Sequence, residues 1–276
     1  MDDIKPKLIM KFHILFITVC SFFIFSCKGT KEEEVTNPPV EENIVLDTPE
    51  EKPISDLKII PIQHATTILD YKGKIIYIDP TGGTKAFDNQ KTPDIVLITD
   101  IHGDHMNIDT LDSLDLSKSK IIVPQAVAEK LPANYTDKIV LINNGDIKDI
   151  DGILIEAIPM YNLREEALRF HSKGRGNGYV ITLGEERLYF SGDTEDIPEM
   201  RALKDIDKAF VCMNLPYTMT VESAADAVLE FKPKQIYPYH YRGTEGLSDV
   251  VKFKEIVNTG DASIEVVQLD WYPDTK

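Results

Sequence analysis

The stretch that most constrains this chain is Ile95-Val96-Leu97-Ile98-Thr99-Asp100-Ile101-His102-Gly103-Asp104-His105. Its first four residues form a short, β-branched apolar run after the turn pair Pro93-Asp94. A run of that length and kind fits a buried strand. Asp100, His102, Asp104 and His105 follow at the strand's end, on a turn that Gly103 can bend. Alternate side chains of an extended segment share a face, so Asp100, His102 and Asp104 can converge while His105 enters from the next turn. Imidazole and carboxylate suit zinc and other first-row divalent ions. An Asp/His-rich loop is also a common solvated turn, so a metal centre here needs ligands from elsewhere in the chain.

Three other segments offer them. His171 lies in the glycine-rich stretch Phe170-His171-Ser172-Lys173-Gly174-Arg175-Gly176-Asn177-Gly178. Asp193 lies in Phe190-Ser191-Gly192-Asp193-Thr194, and His240 in Tyr237-Pro238-Tyr239-His240-Tyr241. Each alone is weak, since strand-end histidines are usually satisfied polar residues. Their shared position carries the weight: each flanks an apolar strand, where sites gather on a rigid scaffold. Of the six histidines in the chain, four lie at such points, and His64 in Gln63-His64-Ala65-Thr66 is a fifth.

Hydrophobic patterning supplies the scaffold. Strands are predicted over residues 57–62, 66–70 and 74–79, the last two joined by a tight turn at Lys72-Gly73. Further strands are predicted over 95–98, 121–123, 139–142, 153–159, 178–183, 187–190, 205–213, 235–239 and 264–269. Helices are predicted over 108–116, 125–131, 221–231 and 248–257, the third capped by Thr220. Early hairpins followed by strand–helix alternation suggest two sheets covered by helices. The length of 276 residues allows one large domain. A formal net charge of −16 disfavours nucleic acid as a partner. Of Cys20, Cys27 and Cys212, the last sits in an apolar run and reads as a small core residue.

The N-terminus reads as a targeting segment. Lys5, Lys7 and Lys11 precede an apolar run over 12–25 that ends at Ser26-Cys27. It resembles a bacterial lipobox, so residues 1–26 are expected to be a lipoprotein signal peptide, with Cys27 lipidated and holding the protein to a cell-envelope membrane. Residues 27–55 are acidic and Pro-rich, too poor in apolar side chains to fold, and read as a flexible tether. Residues 56–276 are the expected folded domain.

The motifs Asp100-x-His102-x-Asp104-His105, His171, Gly192-Asp193-Thr194 and His240 resemble those of metallo-β-lactamase-fold hydrolases. Gln63-His64-Ala65-Thr66, Ile78-Asp79-Pro80, Met160-Tyr161-Asn162, Gly178-Tyr179-Val180-Ile181 and Tyr237-Pro238-Tyr239-His240-Tyr241 are most similar to the ascorbate-6-phosphate-lactonase-like branch. The resemblance spans about residues 57–270. It implies an α/β fold, a four-layer αββα sandwich, and two divalent metal ions, zinc foremost, with manganese or iron as alternatives. Asp100, His102 and His171 would hold one ion; Asp104, His105 and His240 the other; Asp193 would bridge. A metal-activated hydroxide would attack a phosphodiester, lactone or other ester, the substrate being a small molecule. Asp104 would orient the nucleophile, and His64 would polarise substrate or support the site. Asn162 and Lys173 would contact substrate, and Asp79 would order the floor. The family's usual first motif residue is His, and here it is Asp100, which adds negative charge. That departure supports a second reading: a metal-binding envelope lipoprotein without catalysis, acting as a binding module.

Overall fold

Alternation of side chains along the central strands divides the apolar residues between two cores. In the computed structural model, which describes residues 56–273, Leu69, Ile76, Ile78, Ile95, Leu97 and Ile122 face one core. Their alternates Ile68, Ile75, Tyr77, Val96, Ile98, Ile121 and Val123 face another. A strand with two apolar faces must be covered on both.

The strands in chain order are β1 (Leu57–Gln63), β2 (Thr66–Tyr71), β3 (Lys74–Ile78), β4 (Ile95–Leu97), β5 (Lys120–Val123), β6 (Ile139–Leu141), β7 (Ile147–Ile150), β8 (Ile153–Met160), β9 (Gly176–Leu183), β10 (Glu186–Phe190), β11 (Lys208–Val211), β12 (Gln235–Pro238), β13 (Arg242–Gly243), β14 (Gly246–Leu247) and β15 (Glu265–Val266). Among the described residues they form a sheet of order β1-β2-β3-β4-β5-β6, a second of order β15-β12-β11-β10-β9-β8-β7, and a small β13-β14 hairpin. β1, β2 and β3 are antiparallel and β3 to β6 parallel. In the second sheet β10, β11, β12 and β15 run parallel, and β7 to β10 are antiparallel.

Helices cover the outer faces. Leu111 of α1 (Ile108–Ser113) and Val127 of α2 (Gln125–Ala128) pack on the outer face of the first sheet. Met200 of α3 (Pro198–Arg201), Ala224, Val228 and Phe231 of α4 (Val221–Phe231), and Phe253 and Val257 of α5 (Val250–Gly260) pack with the residues of the second. The order is helices, sheet, sheet, helices: the four-layer α/β sandwich that the motifs implied.

Boundaries differ where local chemistry overrides pattern. β7, absent from the sequence reading, is mostly exposed and carries Lys148 and Asp149, so hydrophobic patterning gave no sign of it. The strands expected over 205–213 and 264–269 shorten to β11 and β15. The last helix starts two residues late, because Asp249 accepts from the Lys252 N–H and caps it. The signal segment, Cys27 and the tether lie outside the described residues.

Candidate metal centre

Every candidate ligand reaches the same end of the sheets. Asp79 follows β3, Thr99 to His105 follow β4, Asp193 follows β10 and His240 follows β12. β1 runs in the same direction as β3, since both are antiparallel to β2, so His64 leaves from that end as well. β9 is antiparallel to β10, which puts His171, ahead of β9, beside the end of β10. Open α/β sheets bind ligands outside the carboxyl ends of their strands.

At the centre lies the Asp193 carboxylate. Its Oδ2 is 3.1 Å from His171 Nε2 and 3.3 Å from His105 Nε2; its Oδ1 is 3.1 Å from His240 Nε2. The Nε2 atoms of His105 and His240 face each other at 3.1 Å. Asp104 closes the group, with Oδ2 3.6 Å from His240 Nε2. Burial alone would raise the Asp193 carboxyl, but the facing imidazoles of His240, His105 and His171 outweigh it and hold it well below the usual carboxylate range.

The floor beneath is hydrogen-bonded throughout. Asp79 accepts from the Thr99 N–H at 2.7 Å and the Thr99 hydroxyl at 2.6 Å, and its Oδ2 lies 2.8 Å from His105 Nδ1. A carboxylate behind an imidazole fixes its tautomer and turns the other nitrogen's lone pair toward the centre. On the opposite wall Tyr272 accepts from the Arg242 N–H at 3.2 Å and stands 2.7 Å from His64 Nδ1. Burial lowers the His64 pKa against the opposing hydrogen bond to Asp104. The network therefore assigns a neutral ring that accepts from Tyr272 and donates from Nε2 to Asp104 Oδ2, 3.3 Å away. His64, Asp79 and His240 all have φ between 44° and 52°. Non-glycine residues seldom adopt this left-handed backbone, and its concentration at one site marks function.

Asp100, His102 and His171 also lie close together, but Asp100 is committed elsewhere. Arg175 Nε donates to its Oδ1 at 3.0 Å and Arg175 Nη2 to its Oδ2 at 2.7 Å. His102 Nδ1 is 2.9 Å from the same Oδ2. Burial would raise the Asp100 carboxyl; the His102 hydrogen bond and the charges of His105, His102 and Arg175 bring it down to about 2. The sequence reading missed Arg175. Its signal was the odd carboxylate itself: an acid standing where the motif has His requires a cation nearby.

An open cavity of about 430 Å³ lies above the centre, lined by His64, His102, Asp104, His171, Asp193 and Arg242, with Phe170 and Tyr217 on one side. Asn162 and Lys173, expected to contact substrate, do not line it. The Asn162 amide donates to the Ala167 and Tyr217 carbonyls. Lys173 pairs with Glu199 at 2.8 Å and lies over the Tyr161 ring. Both placements correct the expected role: Asn162 ties the loop, and Lys173 is a surface ion pair.

The donor set tests whether an ion belongs at the centre. Asp193 Oδ1 is buried without a hydrogen-bond partner, which is costly unless something else satisfies it. Two carboxylates and facing imidazole nitrogens offer one divalent ion its charge and its ligands. The residues fit a metal at Asp104, His105, Asp193 and His240. Fold and site together define a metal-dependent hydrolase of the metallo-β-lactamase fold.

The comparisons agree. The family described as a β-lactamase superfamily domain matches residues 58–240, and the chain belongs to that superfamily. It is 29% identical over 221 residues to a UPF0173 metal-dependent hydrolase of Pyrococcus horikoshii, covering 76% of this chain and 96% of that one. A UPF0173 metal-dependent hydrolase of Thermococcus onnurineus is 30% identical, covering 67% and 85%. Among solved structures, a putative metal-dependent hydrolase of Parabacteroides distasonis is similar with a TM-score of 0.69 and 38% identity, covering 77% of this chain and 92% of that one.

Proposed function

We propose that this hydrolase cleaves a phosphodiester, lactone or other ester of a small molecule, with zinc as the first ion to test. The observation that carries the reading is the ring of three imidazole Nε2 atoms around Asp193, open to a cavity beside Asp104. Asp104, His105, Asp193 and His240 would hold the ion. When bound it supplies a Lewis acid that lowers the pKa of water and stabilises charge developing on the substrate. Asp104, 43% exposed at its side chain and bordering the cavity, is placed to orient the attacking water. His64 holds Asp104 in orientation by donating to Oδ2, and Tyr272 holds His64. The resemblance of the sequence motifs to the ascorbate-6-phosphate-lactonase-like branch is the reason to include a lactone in the substrate panel.

The test is elemental analysis of the purified chain together with hydrolysis of bis-p-nitrophenyl phosphate, a lactone and a thioester. Metal in the protein and turnover abolished by chelation are expected, and His105→Ala should lose both. Protein without metal after loading would overturn the reading. Metal without turnover on any substrate would favour the non-catalytic binding module, which Asp100 alone supports.

A further inference from the structure

We propose that this protein binds a single divalent ion, and that the Arg175 guanidinium is the built-in cation of the place where a second ion was expected. The inference rests on the hydrolase reading above and concerns how its centre is populated. Charge is the first argument. Asp104 and Asp193 supply two carboxylate charges, enough to neutralise one divalent ion. The neighbouring group has one carboxylate, Asp100, and that charge is already cancelled by Arg175 in a bidentate pair at 3.0 and 2.7 Å. A second divalent ion there would meet no net negative charge and a fixed positive one.

Donor saturation is the second argument. Both oxygens of the buried Asp100 accept from Arg175, and His102 Nδ1 sits 2.9 Å from one of them. His171 Nδ1 stands 3.2 Å from the Tyr217 carbonyl and its Nε2 faces Asp193 Oδ2 at 3.1 Å. Asp193 Oδ1, on the other side, makes no hydrogen bond although His240 Nε2 faces it at 3.1 Å. The carboxylate of one group is filled by Arg175, and that of the other keeps a buried oxygen for an ion to satisfy.

Arg175 is also held in place. Its Nη2 donates to the Phe170 carbonyl at 2.5 Å, and its backbone N–H to Ser172. At the next residue, a Cβ on Gly176 would stand 2.8 Å from the Thr99 carbonyl and 2.2 Å from Met160 Cε, so the start of β9, just after Arg175, is pressed against the segment that leads from β4 to Asp100. A guanidinium fixed this way matches a carboxylate as a planar fork, which a Lys ammonium cannot do.

Cobalt(II) titration of the full chain, followed by visible absorption and elemental analysis after desalting, tests the proposal. One equivalent per chain is expected for the wild type. Arg175→Ala, which uncovers Asp100, should take up a second equivalent, and Arg175→Lys, which keeps the charge, should stay at one. Two equivalents in the wild type would overturn the inference and leave the hydrolase reading intact; none would overturn that reading instead. One equivalent in folded Arg175→Ala would also overturn it, because something other than Arg175 would then exclude the second ion. Should Arg175→Ala fail to fold, the wild-type end point still decides between one ion and two.

Discussion

Asp79 receives hydrogen bonds from the Thr99 backbone and hydroxyl while its Oδ2 meets His105 Nδ1. It does not line the cavity above the centre, yet it sets which His105 nitrogen faces the centre. In Asp79→Asn the amide would present an N–H to one of three donors, and the His105 tautomer would be lost. Substitutions behind a metal-bound imidazole cost about 10–100-fold in metal affinity; competition with a chromogenic chelator should show that loss with the circular dichroism spectrum unchanged. Asp79 was legible in the sequence as an ordering residue through the resemblance of Ile78-Asp79-Pro80 to the family's motif. Arg175 was not, because its partner Asp100 is 75 residues away and a glycine-rich loop gives no direction to its side chains.

At the scale of elements, the strands that run between the two cores were legible because their apolar runs are continuous. β7 was not, for the opposite reason. The cap of α4 was readable because a Thr precedes an apolar stripe, and the Thr220 hydroxyl accepts from the Ser223 N–H at 3.1 Å; the Asp249 cap of α5 was not read. Through Ala224, Val228 and Phe231, α4 packs on the second sheet. Thr220→Ala should cost about 1 kcal/mol and Thr220→Gly only a few tenths, read as a shift of the urea midpoint at constant slope. Equal losses in the two variants would show that the methyl contact, rather than the cap, carries the effect. What sequence could not reveal was which strand end meets which. That follows from strand directions, and the β9–β10 reversal alone decides that His171 joins the others.

For the whole molecule, the proposal that remains to be placed is attachment to the envelope through Cys27. None of the helices among the described residues is long and apolar enough to cross a membrane, and the apolar run ahead of Cys27 lies outside them. Cys27→Ser should move the protein from the detergent phase to the aqueous phase in a Triton X-114 partition; persistence in the detergent phase would refute lipidation at that position. Nucleic acid remains a poor partner for a chain of net charge −16.

The hydroxyl of Tyr272 and the ring of His64, joined at 2.7 Å, are 208 residues apart. Trp271 reinforces the join, its carbonyl taking the His64 N–H and its indole donating to Thr67. At about 5–20 residues per second, that separation amounts to roughly 10–40 s of synthesis. For most of that interval the ligand set is incomplete, because His240 is made after Asp104, His105 and Asp193, and the brace that seats His64 follows later still. Loading is therefore a late event in the life of each molecule. If the chain is exported as its N-terminus suggests, the ion it carries would be chosen by the compartment in which the chain finishes folding rather than by the one in which it is made.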